Sequence, residues 1–196
     1  MTASTRIVVV LAAFLSGLLV FLGVIYFVTG HGPGSQANAA IGGPFSLVDQ
    51  DGRLITEQEF KGKPFLIFFG YTHCPDVCPT TLFDMSELMR ALGPDADRTG
   101  AVFITVDPER DTPAVMKDYL SSFDPHVRGL TGDAAQVAAA EKAYRVYQNK
   151  VPTADGGYTM DHTALVYLMD KQGRFVAPFS LRRKPDETAT ELRKYL

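Results

Sequence analysis

Five consecutive apolar residues, Phe65-Leu66-Ile67-Phe68-Phe69, lie between Pro64 and Gly70. A strand without polar alternation has no face to offer water, so it belongs inside a parallel sheet covered on both sides. Ala101–Val106 is a second such run and Ala164–Met169 a third. Between the first two, Leu82, Met85, Met89 and Leu92 recur at helical spacing and stop at Gly93-Pro94, with Pro79 suited to the first helical position. Asp51-Gly52 between Phe45–Val48 and Arg53–Thr56 signals a hairpin. Thr112-Pro113 opens a helix over Ala114–Ser122. Ala134–Gln148 reads as another, with Tyr144 and Tyr147 as packing residues. Lys171-Gln172-Gly173 turns into Phe175–Phe179, and Pro185 opens a last helix with Asp186 and Glu187 at its positive end. The order is hairpin, β, α, β, α, α, β, β, α. The expected fold is therefore α/β: a thioredoxin-like central sheet flanked by helices, with an N-terminal β-hairpin and an N-terminal transmembrane helix.

The transmembrane expectation rests on Ile7–Val28, 22 residues without a charge. About 20 apolar residues cross a bilayer. Arg6 precedes the run and no further Asp, Glu, Lys or Arg occurs until Asp49, which places the N-terminus in the cytoplasm and the rest outside. Ala37-Asn38-Ala39 has the small-x-small form of a signal-peptide cleavage site, but the apolar run is longer than the ~7–15 residues of a signal sequence. The expected organisation is a stub and anchor over 1–28, a Gly-, Pro- and Ser-rich linker over 29–40, and one domain over 41–196. The short N-terminus lacks the Arg- and Ser-rich stretch of an organelle transit peptide. The expected location is a bacterial cytoplasmic membrane, single-pass, with the C-terminal domain in the periplasm or outside.

With Arg6 set apart, the domain carries 18 basic and 22 acidic residues, net −4. That balance gives no footprint for nucleic acid. Two cysteines are too few for a disulfide scaffold.

Those two, in Cys74-Pro75-Asp76-Val77-Cys78, follow the first buried strand and meet the start of a helix. Ligands of open α/β sheets bind at strand carboxyl ends, and a helix N-terminus lowers a thiol pKa. A staple closing so short a loop contributes only about 2 kcal/mol. The spacing suits either a redox pair or two ligands of one metal. Of the four histidines, His31 lies in the linker, His126 in a loop, and His73 points away from Cys74 if the chain there is extended. His162 enters the third strand, on the side a thioredoxin-like sheet turns toward the cysteine loop.

Three segments in order, Tyr71-Thr72-His73-Cys74-Pro75-Asp76-Val77-Cys78-Pro79, Val106-Asp107-Pro108-Glu109-Arg110-Asp111-Thr112-Pro113 and Asp161-His162-Thr163, closely resemble the Sco/SenC family of copper proteins that serve cytochrome c oxidase assembly. The resemblance covers about residues 42–196 and the anchor. It implies that Cys74, Cys78 and His162 are copper ligands and that the cysteines form a reversible disulfide. Two thiolates and an imidazole make a soft set that suits Cu(I). Cu(II) would recruit a further oxygen, with Asp161 and Asp76 nearby in sequence, whereas structural zinc wants a fourth ligand. Asp161 could instead orient His162 through its other ring nitrogen. Asp161-His162 stands where thioredoxin enzymes carry a substrate-binding proline. Arg110 with Asp107 or Asp111 reads as a loop-fixing ion pair or a partner-docking element.

The expected function is a membrane-anchored metallochaperone passing copper, Cu(I) or Cu(II), to the dinuclear centre of cytochrome c oxidase. Its partners would be the oxidase's copper-bearing subunit and periplasmic copper carriers or thioredoxin-like reductants. A thiol–disulfide reductase acting on the oxidase's copper-ligand cysteines, and a redox or copper sensor, are the alternatives.

Overall fold

The computed structural model describes residues 3–26 and 41–196 and, before residue 27, the side chains of Val9 and residues 12–26. The chain divides into two compact units, Met1–Ala39 and Ala40–Leu196. The described part of the first is one helix, α1 (Ala3–Tyr26), in which Arg6 is the one charged residue. Among the described residues no helix is long and apolar enough to cross a membrane. The span expected over Ile7–Val28 runs past the described residues, so the fold does not establish the anchor. The expected linker over 29–40, His31 included, lies outside the described residues.

The second unit begins with β1 (Ser46–Asp49) and β2 (Leu54–Thr56), joined at Asp51-Gly52, where Gly52 has φ +81°. The buried Asp49 carboxylate accepts the Asp51 and Arg53 N–H groups and fixes this turn. There follow β3 (Phe65–Gly70), α2 (Val77–Leu92), β4 (Gly100–Thr105), α3 (Pro113–Leu120), β5 (Val127–Thr131), α4 (Ala134–Tyr144), β6 (Gln148–Pro152), β7 (Tyr158–His162), β8 (Val166–Met169), β9 (Phe175–Pro178) and α5 (Pro185–Leu192). Seven strands form one sheet in the order β2-β1-β5-β4-β3-β8-β9. The central three run parallel, and β8 pairs antiparallel with β3. Every residue of β3 and β4 is buried, as their apolar runs require. The architecture is the expected mixed α/β, thioredoxin-like one.

Local chemistry sets the helix ends. Thr112 caps α3 by accepting the Val115 N–H, with Pro113 in the first turn. Asp133 and Gln136 form a reciprocal capping box on α4. α2 begins at Val77, two residues before Pro79. Proline is tolerated there because first-turn N–H groups have no partner within the helix.

The C-terminal half departs from the sequence expectation. Helix α4 stops at Tyr144, because Arg145 adopts a left-handed conformation (φ 56°, ψ 37°). The chain then forms a separate antiparallel pair, β6–β7, registered from Gln148↔His162 to Pro152↔Tyr158. Tyr144 is 1% exposed and packs as expected. Tyr147, beyond the helix end, is 62% exposed and does not.

Candidate metal centre

The site is assembled from the end of β3, the start of α2 and the end of β7. Beyond Gly70 the chain turns, with the Cys74 N–H donating to the Tyr71 carbonyl (3.2 Å). The turn is pinned by Asp111, a fully buried carboxylate that accepts the Thr72 N–H (3.0 Å), the Thr72 hydroxyl (2.6 Å) and the Thr105 hydroxyl (2.6 Å). Cys78, in the first turn of α2, is buried against Gly70. A Cβ added at Gly70 would meet the Cys78 sulfur at 2.7 Å. Asp76 precedes α2 but makes no side-chain cap. The Cys78 N–H donates instead to Cys74 Sγ (3.4 Å). An N–H at the positive end of a helix, where first-turn N–H groups have no partner within the helix, thus bonds to the half-buried Cys74 sulfur.

His162 closes β7. Its ring lies edge-on to Tyr71 (centroids 5.8 Å, 88°) and to Phe68 (6.4 Å, 64°). Nδ1 is 3.1 Å from the Thr163 carbonyl oxygen. A carbonyl only accepts, so Nδ1 carries the proton and Nε2 presents a lone pair. Nε2 lies 3.7 Å from Cys78 Sγ. Burial pushes the His162 pKa below its usual 6.5, against the Thr163 carbonyl and the Asp161 charge, so the ring is mainly neutral at neutral pH, as a metal ligand must be.

Cys74, Cys78 and His162 each offer one donor atom, and these atoms all lie within 4.8 Å of one another. Both cysteines are free thiols. Burial pushes the Cys78 thiol far up, with the neighbouring Cys74 sulfur and Asp111 adding to the effect. This corrects the expectation that the helix N-terminus lowers the thiol pKa: at Cys78 desolvation wins. A bound cation would supply the missing charge and hold the sulfur as thiolate. Two sulfurs and one imidazole fit a soft, low-coordinate ion such as Cu(I). Among the described residues no other group of three or more Cys, His, Asp or Glu converges in this way.

The remaining expected residues lie outside this group. Asp161 and Asp76 are exposed. It is the Thr163 carbonyl, not Asp161, that accepts the second ring nitrogen of His162. His73 is exposed and hydrogen-bonded to the Thr72 hydroxyl (3.0 Å). His126 bonds to Asp124 (2.6 Å) and Asp97 (3.2 Å). Sequence reasoning passed over Gly70, Tyr71 and the anchoring role of Asp111. The adjacency of Gly70 to the cysteine loop was the available signal for the first.

Known proteins resemble this chain in sequence and in fold. A "SCO2-like protein" of Rickettsia felis is 40% identical over 154 residues, 78% of this chain and 75% of that one. The copper-bound structure of Bradyrhizobium japonicum ScoI matches with 66% identity and a TM-score of 0.78, over 80% of this chain and 100% of that one. Copper-bound Arabidopsis thaliana ScoI matches with 36% identity and a TM-score of 0.73, over 80% and 98%. The family model described as SCO1/SenC matches residues 33–196, and the chain belongs to the SCO1/SenC family.

Proposed function

We propose that this protein binds copper through Cys74, Cys78 and His162 and delivers it to the dinuclear copper centre of cytochrome c oxidase, with α1 and the apolar residues after it as a membrane anchor. The observation that carries the reading is the convergence of two sulfurs and one imidazole within 4.8 Å. Copper bound to the 66% identical Bradyrhizobium japonicum protein supports the choice of metal. The domain over 41–196 does the binding. Cys78 supplies its donor from the interior, whereas Cys74 and His162, both half-buried, give a partner's ligand a way in for exchange. Oxidation of the thiols to a disulfide would remove two of the three donors, so the redox state of the pair gates copper loading.

One observation favours thiol chemistry as a second reading: the Cys78 N–H faces the more accessible sulfur, that of Cys74, as an attacking thiolate requires. Cells carrying His162→Ala or Cys78→Ser separate the two. Loss of oxidase copper and activity with both variants supports delivery. Loss with Cys78→Ser alone assigns the protein to thiol–disulfide exchange and overturns the delivery reading.

A further inference from the structure

The Asp107–Pro113 segment does more than fix its own loop. The β6–β7 pair shares no strand ladder with the seven-stranded sheet, yet its last residue is His162. Something other than sheet pairing must hold that imidazole beside the cysteines. Arg110 bonds through Nε to the buried Asp107 carboxylate, and through Nη1 to the Tyr158 carbonyl at the start of β7 (3.0 Å). Its guanidinium carbon lies 3.8 Å from the Tyr158 ring centroid, and 5.7 Å from that of Tyr71. The Tyr158 hydroxyl returns to Asp107 Oδ1 (2.9 Å). Tyr71 in turn bonds Thr159 (2.6 Å) and stands edge-on to the His162 ring.

We infer that Arg110 is a positioning residue of the metal centre: a guanidinium clamp between Asp107, Tyr158 and Tyr71 that sets where β7 presents His162 to the cysteines. A planar fork can bond Asp107 and the Tyr158 carbonyl while lying over an aromatic face. Lysine cannot reproduce that combination. Lys150 also contacts the Tyr158 ring, at 3.9 Å, but its partner is the exposed Glu109 (2.7 Å), so it lacks a tie to the buried Asp107. The inference rests on the three-ligand reading of the site.

The test is a double-mutant cycle on the full chain in mild detergent. Cu(I) affinity is measured by competition with a chromophoric chelator, and the His162 ring and β7 amides of the copper-free protein are followed by NMR. Arg110→Ala should weaken Cu(I) binding by about tenfold or more, the usual scale for a group that orients a metal ligand. It should also shift the His162 ring resonances and speed amide exchange along β7. Arg110→Lys should recover less than half of the lost affinity, in logarithmic terms, and Lys150→Ala should change it less than threefold. In a His162→Ala background, Arg110→Ala should have almost no further effect, because its influence passes through that ring. An equal loss in both backgrounds would mean a merely structural role and overturn the inference. So would wild-type affinity and wild-type His162 resonances in Arg110→Ala. If Arg110→Ala does not fold, Arg110→Lys takes its place in the cycle, and the same two results would overturn the inference. If His162→Ala itself leaves affinity unchanged, the three-ligand reading fails, which is a separate result.

Discussion

The Nε2 atom of His162 lies 3.7 Å from the sulfur of Cys78, although 84 residues of chain separate the two. The contact joins the first turn of α2 to a hairpin outside the main sheet. It therefore depends on how closely Cys78 settles onto β3 and on how firmly the hairpin is held. Each condition has a consequence that can be measured.

Gly70 governs the first. A methyl group there would stand 2.7 Å from the Cys78 sulfur and 2.8 Å from a Phe103 ring carbon. Gly70→Ala should destabilise the fold by about 1–3 kcal/mol, the usual cost of overpacking. It should also weaken copper binding by displacing Cys78. Urea denaturation and a copper competition titration on the same preparation check both effects. Unchanged stability and affinity would contradict the tight seat described for Cys78.

Asp111 governs the cysteine turn. Asp111→Ala would strip partners from the Thr72 N–H and from two hydroxyls, those of Thr72 and Thr105. Thr105 is buried and Thr72 half-buried, and stranding a buried group costs about 1–3 kcal/mol. A loss of about 1–3 kcal/mol is expected by denaturant unfolding, and a loss below about 1 kcal/mol would show that the turn is held by something else.

Glu141, on α4, is 7% exposed, and its Oε1 has no hydrogen-bond partner. Burial pushes its carboxyl from the usual 4.5 up to about 7. Between those values the unfolded chain ionises this group while the folded chain keeps its proton. Stability therefore falls as pH rises from about 4.5 to about 7. Glu141→Gln should remove that component. It should exceed the wild type in stability by about 1–3 kcal/mol near pH 8 and show no such gain near pH 4. Denaturant melts at the two pH values measure the difference, and a gain that does not grow with pH would contradict the assignment.

Arg145 holds φ +56° at the end of α4. Side-chain-bearing residues suffer steric strain there, and glycine does not. Arg145→Gly should raise stability by up to about 1 kcal/mol and leave copper binding untouched. Thermal unfolding checks it, and a clear loss of stability would point to an unrecognised role for the arginine side chain.

Much of this was legible in the sequence, for physical reasons that differ between elements. β3 and β4 announce themselves because strands buried on both faces are uniformly apolar, and α2 because its Leu and Met residues follow the helical period. β6, Gln148-Asn149-Lys150-Val151-Pro152, carries no such pattern: all but Val151 are exposed. Asp155-Gly156 is a hairpin signal of the same kind as Asp51-Gly52 and lies between β6 and β7. The helix reading over Ala134–Gln148 overran the start of β6, because nothing in the residue type of Arg145 marks a left-handed stop. β5 is masked by Arg128 and Gly129, the latter required where Leu120 and Met116 press on the strand. Within the site, the three motifs marked Cys74, Cys78 and His162. The carbonyl that orients His162 belongs to the backbone of Thr163, which no side-chain pattern reveals.

X-ray absorption at the copper edge of the Cu(I)-loaded full chain tests the central claim most directly. The three-ligand site predicts two sulfur scatterers and one nitrogen scatterer in the wild type, with imidazole outer-shell features that vanish in His162→Ala. A sulfur-only shell in the wild type, or the same spectrum in His162→Ala, would contradict it.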